Sequence, residues 1–258
     1  MLTDIERILF GFLVLVSVTA TVNTFGQMAA VIGRGQGKLN FTELPRRIIT
    51  GIVALFNQGR MIRHRKLTSL FHYGVAWGFI FYFLVNAVDV AEGMIPGFHF
   101  FAGDNPIALA YRFLADIFSV AVIVGVLYFI LRRFAADDQA LKARDNVKMH
   151  PDARAGVPKD SLIVANFILL HVGFRFFSVT MLVAAEGGDP AQPFASLFAN
   201  LFSGWSPAAL DFGWHFGWWL ALGLILIFLP YFPYTKHAHL FMGPFNFMTR
   251  PERSYLGQ

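Results

Sequence analysis

The sequence predicts an all-α integral membrane protein, a five-helix transmembrane bundle with its N-terminus outside and its C-terminus in the cytoplasm. Three observations predict it. Of the 258 residues 56% are hydrophobic and Phe alone occurs 30 times, a composition suited to a chain solvated by lipid. The apolar residues gather in five runs, 5–32, 67–90, 107–131, 162–185 and 212–232, each long enough for the ~20 residues a helix needs to cross ~30 Å of hydrocarbon. Between the runs the charges alternate in sign from one side to the other, and the basic side marks the cytoplasm.

Run one stays in the protein as span one. Acidic Asp4 and Glu6 lie at its start and no small-residue cleavage site follows, so it does not read as a signal peptide. After it come Arg34, Lys38, Arg46, Arg47, Arg60, Arg63, Arg65 and Lys66 against the single acid Glu43, a cytoplasmic loop. Within that loop Leu44 to Phe56 alternates basic and apolar residues at helical spacing and predicts a short amphipathic helix in the interface. Span two ends in a segment with Glu92 and Asp104 and no Lys or Arg, hence outside. Span three is followed by Arg132, Arg133, Lys142, Arg144, Lys148, Arg154 and Lys159, hence inside, with a surface helix expected around 137–142. Glu186, Asp189 and Asp211 place the next segment outside, where Gly187, Gly188, Pro190, Pro193 and Pro207 predict turns. Lys236, Arg250 and Arg253 bring the tail inside.

Residues 1–258 read as a single transmembrane domain in the cytoplasmic (inner) membrane. There is no internal repeat and no carboxylate deep in the spans, which argues against a proton-coupled transporter. Positive charge spread over short loops rather than along one soluble face argues against nucleic acid. With no cysteine the chain can hold neither a disulfide nor a thiolate-ligated cluster, so a redox centre here needs nitrogen or oxygen ligands.

Histidines supply the nitrogen. His72 lies five residues into span two, roughly 7 Å below the cytoplasmic surface. His171 sits mid-span in span four, His215 at the outer end of span five, and His237 and His239 just past its inner end. An imidazole at membrane depth faces the bundle interior and finds a partner, and imidazoles spread over facing helices are what bis-His haem requires. His215 and His239 stand ~36 Å apart on one helix and serve different centres. His237 and His239 point to opposite faces if the helix continues. Gly74 and Gly78 near His72 suit either a close macrocycle or ordinary helix packing. Trp205, Trp214, Trp218 and Trp219 read as an interfacial belt or the wall of a quinone pocket. Arg175, one turn beyond His171, is a candidate for a haem propionate, and Arg112 with Asp116 for a structural ion pair. His64, His99 and His150 read as solvated, with the lining of an outer quinol site as the alternative for His99.

Leu70-Phe71-His72-Tyr73-Gly74, and Pro233, His239, Pro244 and Thr249-Arg250, resemble the gamma subunit of respiratory nitrate reductase, a five-helix dihaem cytochrome b. The resemblance implies that His72 and His239 ligate the haem nearer the cytoplasm. The family's second pair is missing: Tyr82 stands ten residues beyond His72 and Ala221 eighteen before His239. His171 and His215 are the remaining intramembrane imidazoles and the expected ligands of a second haem, with Arg175 near a propionate. Lys236-His237-Ala238-His239 with Pro244 and Asn246 resembles more closely the membrane domain of heterodisulfide-reductase-related iron-sulfur proteins, including the electron-transfer-flavoprotein:quinone type. That likeness implies a haem b subunit carrying electrons between a cytoplasmic iron-sulfur partner and membrane quinone, menaquinone or ubiquinone. The iron-sulfur part is expected as a separate subunit on the basic face, or as a domain before which this chain was shortened. The alternative is a haem-free membrane anchor or assembly subunit of a redox complex.

Overall fold

The computed structural model describes residues 2–36, 39–57, 65–144 and 146–249. The expectations placed on Lys38, Arg60, Arg63, His64, Arg250 and Arg253 lie outside these residues. Among the described residues there is no strand, and five helices are long and apolar enough to cross a membrane. The first is α1 (Asp4–Ile32). Thr3 starts it with a reciprocal capping box, its hydroxyl accepting the Glu6 N–H while the Glu6 carboxylate accepts the Thr3 N–H. The amphipathic segment forms α2 (Leu44–Asn57), which packs against α8 (His239–Thr249) rather than standing alone.

Spans two and three are α3 (Lys66–Met94) and α4 (Pro106–Ile130), the latter capped by Asn105 with proline at its first turn. A π-helical turn, Leu131–Ala135, follows, and the surface helix expected near 137–142 is only a 3-10 turn, Gln139–Leu141. Span four is longer than its apolar run: α5 (Pro151–Glu186) begins about three turns before residue 162 and carries Pro158 inside it. Hydropathy marks where lipid ends, whereas a helix runs until its backbone hydrogen bonding stops. It stops at Gly187, whose φ of 79° is the left-handed termination that glycine adopts without strain. The segment read as turns holds a further short helix, α6 (Pro193–Ala199), before α7 (Pro207–Tyr231) forms span five.

In the bundle α1 packs on α7, α7 on α5, α5 on α4 and α4 on α3. The row is closed by polar ties from α3. The Trp218 indole N–H donates to the Asp89 carbonyl (3.1 Å), and Arg175 of α5 reaches the Asp89 carboxylate with two hydrogen bonds of 3.1 and 3.2 Å. Between α5 and α7 the backbones touch closely. A Cβ on Gly217 would stand 2.8 Å from the Phe174 carbonyl oxygen and 2.9 Å from the Ser178 nitrogen. Only a residue with no side chain fits there. One end of the bundle carries the basic loops and α8, the other the acidic loops and α6; they are called the basic and acidic ends below.

Candidate functional site

Two cavities lie along the bundle axis, back to back. The one nearer the basic end has a volume of about 390 Å³ and is almost wholly apolar, walled by Phe25, Phe79, Phe83, Phe167, Phe228 and Phe232. Its polar lining is limited to Tyr82, Asn86 and His171. Ser119 donates its hydroxyl hydrogen to the Ala115 carbonyl, so the 2.6 Å contact between Tyr82 and Ser119 is a hydrogen bond donated by Tyr82. His171 Nδ1 lies 2.9 Å from the Ala221 carbonyl oxygen, which only an N–H can satisfy, leaving Nε2 as the bare acceptor. That Nε2 is buried without a hydrogen-bond partner. The His171 ring also stands edge-on to Tyr82, centroids 5.6 Å apart. This single imidazole therefore touches both positions, Tyr82 and Ala221, at which the resemblance pointed to missing histidines.

The other histidines gather at the basic end. His72 lies two turns along α3 from Phe79, its ring edge-on to Phe129 with centroids 6.4 Å apart. His239 begins α8 and is exposed, its Nδ1 held 2.7 Å from the Lys236 carbonyl oxygen. His237, two residues earlier in a 3-10 turn, is buried among Phe79, Phe228 and Phe232, with Nε2 unpaired. Burial, then the neighbouring His239 and Lys236, pulls its imidazole down to about 4, so it is neutral at physiological pH. The helix does not continue unbroken from α7 into α8, so the opposite-face argument for His237 and His239 does not apply.

His215 is not brought to this cavity. Its Nδ1 lies 2.8 Å from the Glu6 carboxylate of α1, which also accepts the Trp219 indole N–H at 2.9 Å, and its Nε2 is 3.8 Å from Asp211. His171 and His215 face different partners and line no common cavity. Arg175, expected near a propionate, is 7% exposed and clasped by Asp89.

The second cavity, about 300 Å³ near the acidic end, is polar. Asp89, Glu92, Tyr111, Arg112 and Arg175 line it together with Trp214 and Trp218. The ion pair expected between Arg112 and Asp116 does not form. Arg112 turns to Asp189 (2.8 Å) and to the carbonyls of Phe101 and Gly103, while Asp116, 2% exposed, accepts the N–H groups of Phe194 (2.7 Å) and Ala195 (3.0 Å). A carboxylate at the start of α6 satisfies donors that the helix leaves unpaired. Burial pushes the Asp189 carboxyl up, but hydrogen bonds from Gln192, the Ala191 N–H and Arg112 outweigh it and hold the group below the usual carboxylate range.

Sequence reasoning missed Asp89, Glu92 and Tyr111. Asp89 lies just inside its predicted span, and Asp116, 2% exposed midway along α4, corrects the statement that the spans lack deep carboxylates. The signal was there: a buried Arg175 demands a carboxylate, and Asp89 is a carboxylate in an apolar run. Glu92 was assigned to a loop because the apolar run ends at Val90, although α3 carries on to Met94.

The chain is 26% identical over 208 residues to a probable iron-sulfur-binding oxidoreductase, FadF, of Bacillus subtilis, an overlap covering 78% of this chain and 26% of that protein. It is 22% identical over 210 residues to the EtfAB:quinone oxidoreductase of Syntrophomonas wolfei, covering 81% of this chain and 28% of that protein. Both are distant relatives. The chain spans about a quarter of the length of each. No family model and no solved structure matches it.

Proposed function

We propose that this chain is the membrane electron-transfer subunit of a quinone-linked oxidoreductase, a single haem b-binding domain that carries electrons between a cytoplasmic iron-sulfur partner and membrane quinone. The names of the two relatives supply the iron-sulfur and quinone chemistry. The observation that carries the haem is His171. Its Nδ1 is anchored on a backbone carbonyl, the arrangement that metal-bound imidazoles use to fix ring orientation, and its bare Nε2 is buried without a partner beside an apolar cavity. A buried acceptor without a partner costs ~1–3 kcal/mol, a cost that a plain membrane anchor has no reason to carry.

Among the described residues no three His, Cys, Asp or Glu side chains come together as a metal site. His72 and His239 would hold the haem at the basic end, His239 having its Nδ1 on a backbone carbonyl as His171 has. His171 is the imidazole offered at the far wall. A bis-imidazole haem supplies one-electron exchange between ferric and ferrous iron. The phenylalanine walls exclude water and keep the ring nitrogens dry. The basic loops and the α2–α8 pair form the cytoplasmic face for an acidic iron-sulfur partner, with the N-terminus outside.

Haem content per chain, read from the pyridine haemochrome of purified protein, tests this. A b-type spectrum is expected, lost or reduced by one haem equivalent in both His72→Ala and His239→Ala and altered in His171→Ala. A chain purified colourless from haem-replete membranes would support the anchor reading instead.

A further inference from the structure

We infer that the polar cavity at the acidic end is the site where a quinone head group is bound and protonated, with the Tyr111 hydroxyl as its hydrogen-bond donor and Glu92 as its proton carrier. This rests on the proposed quinone linkage and adds the location and the residues.

Tyr111 is 7% exposed and lines the cavity, and its hydroxyl has no hydrogen-bond partner. A buried phenol without a partner is a donor waiting for an acceptor brought from elsewhere. The charges around it decide which acceptor. Asp89 is taken by Arg175 and Asp189 by Arg112, so both guanidinium groups are already neutralised. Asp104 and Glu186 line the same cavity but are exposed, and Glu92 is half-buried with no hydrogen bond or ion pair among the described residues. With two cations against five carboxylates the site repels anions. A neutral ring bearing carbonyl oxygens satisfies Tyr111 without meeting that repulsion. Val179, Leu182, Leu222, Trp214 and Trp218 supply the apolar wall that such a ring requires.

The position suits electron delivery. Ala221 lines the polar cavity while its carbonyl holds His171 of the apolar one, and Arg175 of the polar cavity lies 6.0 Å from the centre of the Tyr82 ring, which lines the other. One layer of side chains thus separates the two spaces. Reduction of a quinone takes up two electrons, supplied one at a time by the iron-sulfur partner, and two protons. Both C=O bonds become C–O–H, and the ring becomes an aromatic quinol. Glu92 as the acid gives its proton to the nearer oxygen, is left as a carboxylate, and regains a proton from water at the acidic end to serve the second oxygen. Asp89 accepts two hydrogen bonds from Arg175 and cannot take that role without losing its partner.

The test titrates a water-soluble naphthoquinone into the purified full chain and follows quenching of tryptophan fluorescence, since Trp214 and Trp218 line the cavity. Haem content is measured on the same samples. Tyr111→Phe is expected to weaken binding roughly threefold to tenfold, the worth of one hydrogen bond. Glu92→Gln is expected to leave the Kd within about twofold while slowing quinone-driven reoxidation of the reduced protein more than tenfold, with Glu92→Asp recovering part of the rate. Binding and reoxidation unchanged in both Tyr111→Phe and Glu92→Gln would overturn the proposal, as would loss of quenching in Phe79→Ala, in the apolar cavity, with Tyr111→Phe unaffected. Absent haem with intact, Tyr111-dependent quinone binding would count against the haem reading alone.

Discussion

The two cavities share one bundle and nearly one volume, yet they differ in what holds them open. The apolar cavity is shaped by aromatic rings, and its polar atoms face inward with little to bind: His171 Nε2 and Asn86 Oδ1 are both buried and unpaired. The polar cavity is shaped by ion pairs whose members answer each other, Arg175 with Asp89 and Arg112 with Asp189. In the first, two buried polar atoms on an aromatic wall are left without a partner, and the proposed haem would answer one of them. In the second the paired charges form a rim, and Tyr111, buried, and Glu92, half-buried, stand without a hydrogen-bond partner among the described residues. Membrane interiors tolerate polar groups on these two terms, paired with each other or reserved for something bound.

That comparison breaks most sharply at Asp89. Asp89→Ala strands the buried Arg175 and removes a tie between α3 and α5, so a stability loss of about 3–5 kcal/mol is expected. It is read as a lower thermal midpoint in detergent, and Arg175→Met added to Asp89→Ala should restore most of it. A single variant melting like the parent would show that the rim is not held by this pair. A smaller effect comes from the seam behind the polar cavity. Gly217→Ala would press a methyl group on the Phe174 and Ser178 backbone and cost about 1–3 kcal/mol. Gly173→Ala, on α5 beside Phe174 but with open space at its Cβ, should be neutral.

The smallest effect is acid sensitivity. The folded Asp189 carboxyl titrates below its ordinary value of 3.8, so the unfolded chain takes up the proton first as pH falls. The stabilisation from the Arg112 and Gln192 contacts is then complete above the unfolded value and disappears as pH drops from about 4 through the lower folded value. Asp189→Asn should flatten the fall in thermal midpoint between about pH 5 and pH 3. An unchanged slope would locate the acid sensitivity elsewhere. Absorption of the proposed haem should not follow this titration, because Asp189 lies on the polar side of the His171–Ala221 wall.

Five spans, their order, the charge asymmetry of the loops and the mid-span position of His171 could all be read from the chain alone. They are properties of runs and windows, set by hydrophobic length and local charge, and need no knowledge of which helix faces which. The partners of the buried polar groups could not. Arg175 finds Asp89 86 positions away, Asp116 finds the α6 N-terminus 78 away, and His215 finds Glu6 209 away. Sequence reading paired Arg112 with Asp116 and Arg175 with a cofactor near His171, each one helical turn off, and His215 with His171 of the neighbouring span. In a bundle the nearest neighbour of an inward side chain belongs to another helix. Its identity follows from helix rotation and close approach at positions such as Gly217. An unpaired buried charge is costly enough that the fold selects a partner wherever along the chain one lies, and so tertiary packing alone decided which polar groups remained unpartnered at the two cavities.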